Sequence, residues 1–198
     1  KLSRATETEL LDLLGHPNGW HRDTATRLLY ERVENFFRPA SPQQSQAKPR
    51  IPTFAQVRAQ LRSNSPLVQL HALSVLDGRD ILLSGPHSIS PDDLIVCLAS
   101  PSAEIRERAV VFLPRRYSAR AGLLARLADD PAPRVRYNFA WALASMDLPD
   151  KTPLYRSLLR NAQDDWERHA TYAAISRESK LRPQFPEAFG RKTVQPQV

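Results

Sequence analysis

Five histidines are the first residues to question for metal or proton chemistry: His16, His21, His71, His87 and His169. A zinc site needs three or four ligands at set spacings on converging faces. His16 and His21 stand five residues apart across a His-Pro-Asn-Gly turn, and no HxxxH or HxxE spacing brings a third ligand onto one helical face. A turn or capping role for His16 follows better than a ligand's role. Asp23, Asp129, Asp130, Asp164 and Asp165 invite an acid–base reading. Most of them stand where helices begin, and a carboxylate there satisfies free backbone N–H groups. Cys97 is the only cysteine, which excludes an internal disulfide, a CxxC pair, a CxxCH haem attachment and a multi-cysteine zinc site within this chain. It lies in the apolar run Leu94–Leu98 and reads as a small core residue. There is no GxSxG elbow, no GxGxxG and no P-loop. The sequence therefore assigns no catalytic, cofactor-binding or metal residue.

What remains is a set of side chains suited to holding a partner: Tyr137, Trp141, Arg168, His169 and Tyr172. Aromatic rings with arginine are the usual anchors of protein interfaces. They come together only if two helices run side by side, and the sequence supplies such helices as a repeat. Five segments align without gaps: Trp20–Leu28 (WHRDTATRL), Val68–Leu76 (VQLHALSVL), Ile105–Leu113 (IRERAVVFL), Val135–Leu143 (VRYNFAWAL) and Trp166–Ala174 (WERHATYAA). Counting the first residue as position 0, apolar residues recur at 0, +4, +5 and +8. These fall within an arc of about 140° on a helix, which is one buried face. On this register Trp20, Val68, Ile105, Val135 and Trp166 are all expected in the core. Trp141 (+6) and Tyr137 (+2) lie off that arc, as do Arg168 (+2), His169 (+3) and Tyr172 (+6).

A leucine stands seven or eight residues before position 0 in every segment: Leu13, Leu61, Leu98, Leu127 and Leu159. Turn formers separate it from the segment, such as Ser100-Pro101-Ser102 and Asp130-Pro131-Ala132-Pro133. In Ser90-Pro91-Asp92-Asp93, Ser90 suits a cap, Pro91 the first helical position, and the two carboxylates the positive end of the helix dipole. Each unit thus reads as helix A, a short turn and helix B. The fold class expected is all-α: a right-handed α–α superhelix, a HEAT-like solenoid of about five hairpins over residues 1–179. Residues 38–52, rich in Pro and Gln, read as a surface loop, and residues 180–198 as a Pro-rich tail.

The net charge is +7 and arginine supplies most of the cations, yet no block of five or six like charges occurs. A nucleic-acid footprint would be a concentrated stripe. Acidic partners are the more modest inference. No apolar run is long enough for a membrane-spanning helix. The chain begins Lys1-Leu2-Ser3, as a piece of a longer protein would.

Residues Asp130–Leu143 (DPAPRVRYNFAWAL) are similar to the general HEAT pattern DPxxxVRxxAAxAL. Residues Leu11–Arg32 (LDLLGHPNGWHRDTATRLLYER) resemble the start of the HEAT region in large bacterial, PVC-type, membrane-bound dehydrogenase-domain, haem-binding proteins. His71–Gly78 (HALSVLDG) is similar to that family's second repeat. The resemblance covers residues 3–145. It implies a helical region between a sugar-dehydrogenase-like β-propeller and a cytochrome-c-like domain, in a periplasmic or other extracytoplasmic redox protein. Haem would then belong to a flanking domain, since CxxCH is absent here, and no redox residue carries over. The partners expected are neighbouring domains of the same polypeptide or another protein. The expected function is a non-catalytic scaffold or protein-interaction domain, with an oxidoreductase as the parent. The alternative is a basic HEAT-like nucleic-acid-binding protein such as an alkylated-base DNA glycosylase. The charge and Trp141 permit it, but the polar positions near the aromatic pair are Asn138, Arg168 and His169 rather than an aspartate. A chromophore-lyase-type HEAT protein has only the fold in its favour.

Overall fold

The computed structural model describes residues 2–37, 54–80, 89–116 and 121–189, and every regular element among them is helical. The helices are α1 (Glu7–Asp12), α2 (Gly19–Phe37), α3 (Phe54–Gln60), α4 (Pro66–Asp80), α5 (Pro91–Leu98), α6 (Ala103–Val110), α7 (Leu113–Arg116), α8 (Ala121–Ala128), α9 (Pro133–Ala144), α10 (Thr152–Asn161), α11 (Asp165–Ser176) and α12 (Pro186–Phe189). They form five A/B hairpins: α1/α2, α3/α4, α5/α6, α8/α9 and α10/α11. The fold class is that of an α–α solenoid built from helical hairpins. The expected loop 38–52 and His87 lie outside the described residues. The chain divides into two compact units, Lys1–Arg106 and Glu107–Val198.

Local chemistry sets the helix ends. Ser90 caps α5 through a reciprocal box: its hydroxyl accepts the Asp93 N–H at 3.1 Å, and Asp93 accepts the Ser90 N–H at 2.9 Å. Thr6 and Glu9 form the same box at α1, and Asp164 accepts the Glu167 N–H at the start of α11. His16 takes the turn role expected of it, its Nδ1 accepting the Asn18 N–H at 3.0 Å. The third B helix is shorter than its segment. It stops at Val110, turns through Val111 and Phe112, and restarts as α7. Pro114 accounts for the break, because it has no N–H to offer the Val110 carbonyl four residues back and its ring crowds that carbonyl.

One recurrent contact defines the repeat better than the apolar pattern does. Arg22, Arg106, Arg136 and Arg168 each donate from Nη1 to the carbonyl six residues upstream, on His16 (2.6 Å), Ser100 (2.9 Å), Asp130 (2.5 Å) and Ala162 (3.3 Å). These turn carbonyls have no partner within a helix, so the guanidinium closes the turn by satisfying them. In the second hairpin Gln69 does comparable work, its Nε2 donating to the Leu61 carbonyl at 3.1 Å.

Alignment on this residue corrects the expected register at the two ends of the repeat array. Ile105 and Val135 directly precede their arginines and are buried, as position 0 requires. Trp20 and Trp166 stand two residues before theirs and are 62% and 74% exposed. They are level with Leu67, Glu104 and Arg134, all exposed. The first and fifth segments are therefore offset by one residue. At the far end of the stripe Leu29 is buried in place of Leu28, which is only half-buried, and in the fifth segment Ile175 is buried beside Ala174. Val68 is also only half-buried. In the A helices Leu61, Leu98 and Leu127 are buried as expected. In the first and fifth hairpins Leu14 and Leu158 are buried, while Leu13 and Leu159 are half-exposed.

In the first unit the 3-10 turn Leu13–Gly15 packs so closely on α4 that a Cβ at Gly15 would meet Val68 Cγ2 at 2.9 Å and require Val68 to shift. Cys97 is buried, and burial, reinforced by Asp93 and opposed by Arg62, pushes its thiol up to about 12. A thiol so placed is a packing group and not a nucleophile. In the second unit the segment after α11 folds back onto α10. Phe185 is buried and meets the fully buried Tyr155 ring edge-on at 6.4 Å. The Tyr155 hydroxyl and Lys151 both donate to Glu178 Oε1, at 3.0 and 3.1 Å. Desolvation and the adjacent Glu178 raise the Tyr155 phenol above its ordinary range. The expected Pro-rich tail thus contributes, up to Phe189, the helical turns Arg182–Gln184 and α12 on the last hairpin.

Candidate interaction surface

The five aromatic, arginine and histidine residues singled out by sequence lie on α9 and α11, which pack against each other in the second unit. A buried ion pair joins these helices. Arg136 Nε and Nη2 donate to the two carboxylate oxygens of Glu167 at 2.8 and 2.9 Å, with both side chains about 95% or more buried. The third guanidinium nitrogen is engaged too, since Arg136 also closes its own turn, and Glu167 Oε2 accepts the Gln163 N–H at 2.8 Å. A pair satisfied in this way fixes register, because sliding either helix would leave a charge buried without a partner.

That register brings Tyr137, the neighbour of Arg136, beside the helix carrying Arg168, the neighbour of Glu167. Tyr137, Trp141, Arg168 and Tyr172 are half-buried, and His169 is exposed. Arg168 does not turn toward Trp141. Its guanidinium closes the α10/α11 turn and makes a solvent-exposed pair with Asp165 at 3.3 Å. Arg177, at the end of α11, lies over the Trp141 ring at 5.9 Å from its centroid. Tyr172 meets Phe189 edge-on at 6.3 Å. The tail therefore touches Tyr172, and the cation at Trp141 is Arg177, which the sequence reading passed over. Its position just past the last helical residue was the available signal, since a basic group there also complements the helix dipole.

A second polar site, in the first unit, was also missed. Between α2 and α4 an open recess of about 320 Å3 is lined by Asp23, Thr26, Arg27, Tyr30, His71 and Ser74. At its floor Arg22 Nε donates to His71 Nε2 at 3.3 Å. Arginine can only donate, so Nε2 is the unprotonated nitrogen and His71 is neutral. Its Nδ1 stands 3.0 Å from the Thr26 hydroxyl, which itself donates to the Arg22 carbonyl at 2.9 Å. Nδ1–H is accordingly the donor to Thr26. Desolvation, with the Arg22 charge, holds the His71 pKa below the ordinary imidazole value, and Asp23 opposes that shift. Comparing the first two B helices as a stacked pair, as was done for the last two, would have found this contact. Among the described residues no three His, Cys, Asp or Glu side chains gather as a metal site would require, and no described helix is long and apolar enough to cross a membrane.

Residues 91–176 match the family model of HEAT repeats. This stretch is a HEAT-repeat region. It runs from α5 to the end of α11 and contains the expected interaction residues. The first two hairpins lie outside the matched HEAT repeats, although the first carries the same arginine-closed turn through Arg22. No curated protein was found to match the chain.

Proposed function

We propose that this chain is a non-catalytic scaffold and protein-interaction domain, and that its HEAT-repeat region docks a neighbouring domain of the same polypeptide or a separate protein. The observation that carries this is the division of labour on α9 and α11. Their buried faces are filled by Val135, Phe139, Leu143, Ala170 and Ile175 around the satisfied Arg136–Glu167 pair. Tyr137, Trp141, His169 and Tyr172 are left partly or fully open. Partly open aromatic rings held on rigid helices offer large contact area at little entropic cost. A partner that stacks on Trp141 would share it with Arg177, or displace Arg177 to an acidic group of its own.

The parent, in this reading, is a multidomain extracytoplasmic redox protein of the dehydrogenase and cytochrome type. The support is the sequence resemblance over residues 3–145. Haem would sit in a flanking domain: the one cysteine here is buried, and no CxxCH exists to hold the group. The test has two arms. The full reading frame should encode a β-propeller before this region and CxxCH after it, and a frame lacking both removes the redox parent. Flanking domains expressed separately should bind this chain, and Trp141→Ala should weaken that binding by about tenfold, as truncation of an interface anchor does. Unchanged binding together with a lowered melting temperature would show that Trp141 only packs against Arg177, and would end the interface assignment.

A further inference from the structure

The first hairpin carries a larger recess, of about 760 Å3, between the 3-10 turn Leu2–Arg4, α1 and the first turn of α2. Arg4, Glu9, Asp12, Leu13, Trp20 and His21 contribute to its walls. Trp20 is one of the most exposed large apolar side chains among the described residues. The Trp20 backbone N–H donates to Asn18 Oδ1 at 2.9 Å, which sets the start of α2. The His21 ring meets the indole edge-on at 5.1 Å and lies 4.3 Å from the His16 ring, which the Asn18 N–H orients. An open indole presents the negative face of its π-system to whatever enters.

Opposite charge is absent from the indole itself but present in the same lining. Glu9 and Asp12 stand three apart on α1 and so share a helical face. The Thr6 backbone N–H and hydroxyl bind the Glu9 carboxylate and hold its pKa below the usual range. Asp12 makes no capping hydrogen bond, and no ion pair or hydrogen bond engages it among the described residues. Two carboxylates against one arginine make this wall locally acidic on a chain whose net charge is +7. That local inversion of sign is what selects a cationic ligand.

We propose that this recess binds a basic side chain of a partner polypeptide, a guanidinium in preference to an ammonium, stacked on Trp20 and paired by Asp12 and Glu9. A planar cation satisfies an indole face and two carboxylates together, which a point charge does less well. Arg4 would repel a lone cation. It suits a peptide, whose backbone carbonyls bring acceptors along with the basic side chain. The site is separate from the α9/α11 surface, and its fate does not depend on that reading.

The probe is the peptide acetyl-Gly-Arg-Gly-amide, titrated into the full chain carrying Trp141→Phe and Trp166→Phe, so that Trp20 is the sole indole. Its emission should change saturably. The citrulline peptide, a neutral isostere, should bind about fivefold more weakly or worse, the scale of one lost cation–π and ion-pair contact. Asp12→Asn with Glu9→Gln should produce a similar loss, and Gln at position 9 retains the capping box so that the fold is preserved. The lysine peptide should bind more weakly than the arginine peptide. Equal binding of arginine and citrulline peptides, or unaltered affinity in the double variant, overturns the site. Equal binding of lysine and arginine overturns the guanidinium assignment.

Discussion

Successive B helices are tied together differently in the two units. Between α9 and α11 the tie is a guanidinium–carboxylate pair removed from water, with each guanidinium nitrogen and each carboxylate oxygen engaged. Between α2 and α4 it is Arg22, His71 and Thr26, half-buried beside an open recess. The first arrangement is costly to break from one side, because the survivor is a buried charge. The second can be altered by a single proton, because an imidazole that accepts from arginine must be neutral. The same architectural job, holding parallel hairpins in register, is thus done by a fixed charge pair in one unit and a titratable contact in the other.

The largest effect should come from breaking the charge pair on one side. Glu167→Ala leaves Arg136 buried with only its turn carbonyl, and should cost about 3–5 kcal/mol in urea unfolding. Arg136→Met with Glu167→Leu should recover much of that loss, since a buried pair is often no better than apolar side chains of similar volume. His71→Ala in the other unit should cost only about 1 kcal/mol, the usual worth of a partly solvated hydrogen bond with its packing. A Glu167→Ala cost no larger than that of His71→Ala would remove the distinction drawn between the two ties.

Acidification should act on the first unit alone. The folded His71 pKa is depressed, so the folded state binds fewer protons than the unfolded chain. The stabilising contribution is then complete above the unfolded imidazole value, near 6.5, and is lost as pH falls through that value toward the folded one. The groups facing His71 are Arg22, Thr26, Asp23, Arg27, Tyr30 and Ser74, and only Asp23 favours the protonated ring. Hydrogen exchange in α2 and α4 should therefore quicken between pH 7.5 and 5.5 relative to α9 and α11, whose tie contains no imidazole. His71→Gln should remove the difference. A pH response that persists in His71→Gln would assign the effect elsewhere.

Five hairpins were legible because each rests on local signals: apolar spacing, turn residues, and caps such as Ser90. The Arg136–Glu167 pair was not legible, because it joins residues 31 apart whose types look like ordinary surface charge. The arginine-closed turn was visible as a DPxxxVR phrase in one hairpin, but Arg22 and Arg168 sit outside that phrase and perform the same contact. Gapless alignment favoured tryptophan at a large apolar position and so shifted two segments by one residue. The residues of the candidate surface lie on α9 and α11, which pack side by side as the repeat implied. Which cation covers Trp141 depended on where α11 ends, at Arg177, and side-chain periodicity carries no information about that.

The smallest expected effect checks this offset. Val135 and Trp166 occupy the same position in the gapless alignment, but in the structure Val135 is fully buried and Trp166 is largely in solvent. A buried branched side chain loses packing and transfer free energy when cut to alanine, so Val135→Ala should cost on the order of 1–3 kcal/mol. Trp166→Ala removes far more atoms, yet most of them already touch water at the first turn of α11, and the change should stay within about 0.5 kcal/mol. Trp20→Ala should behave alike in stability, whatever it does to ligand binding. The reversal of the naive order, with the larger deletion costing less, is what the arginine-based register requires. If Trp166→Ala proved as destabilising as Val135→Ala, the indole would be plugging the core after all, and the gapless alignment would be restored.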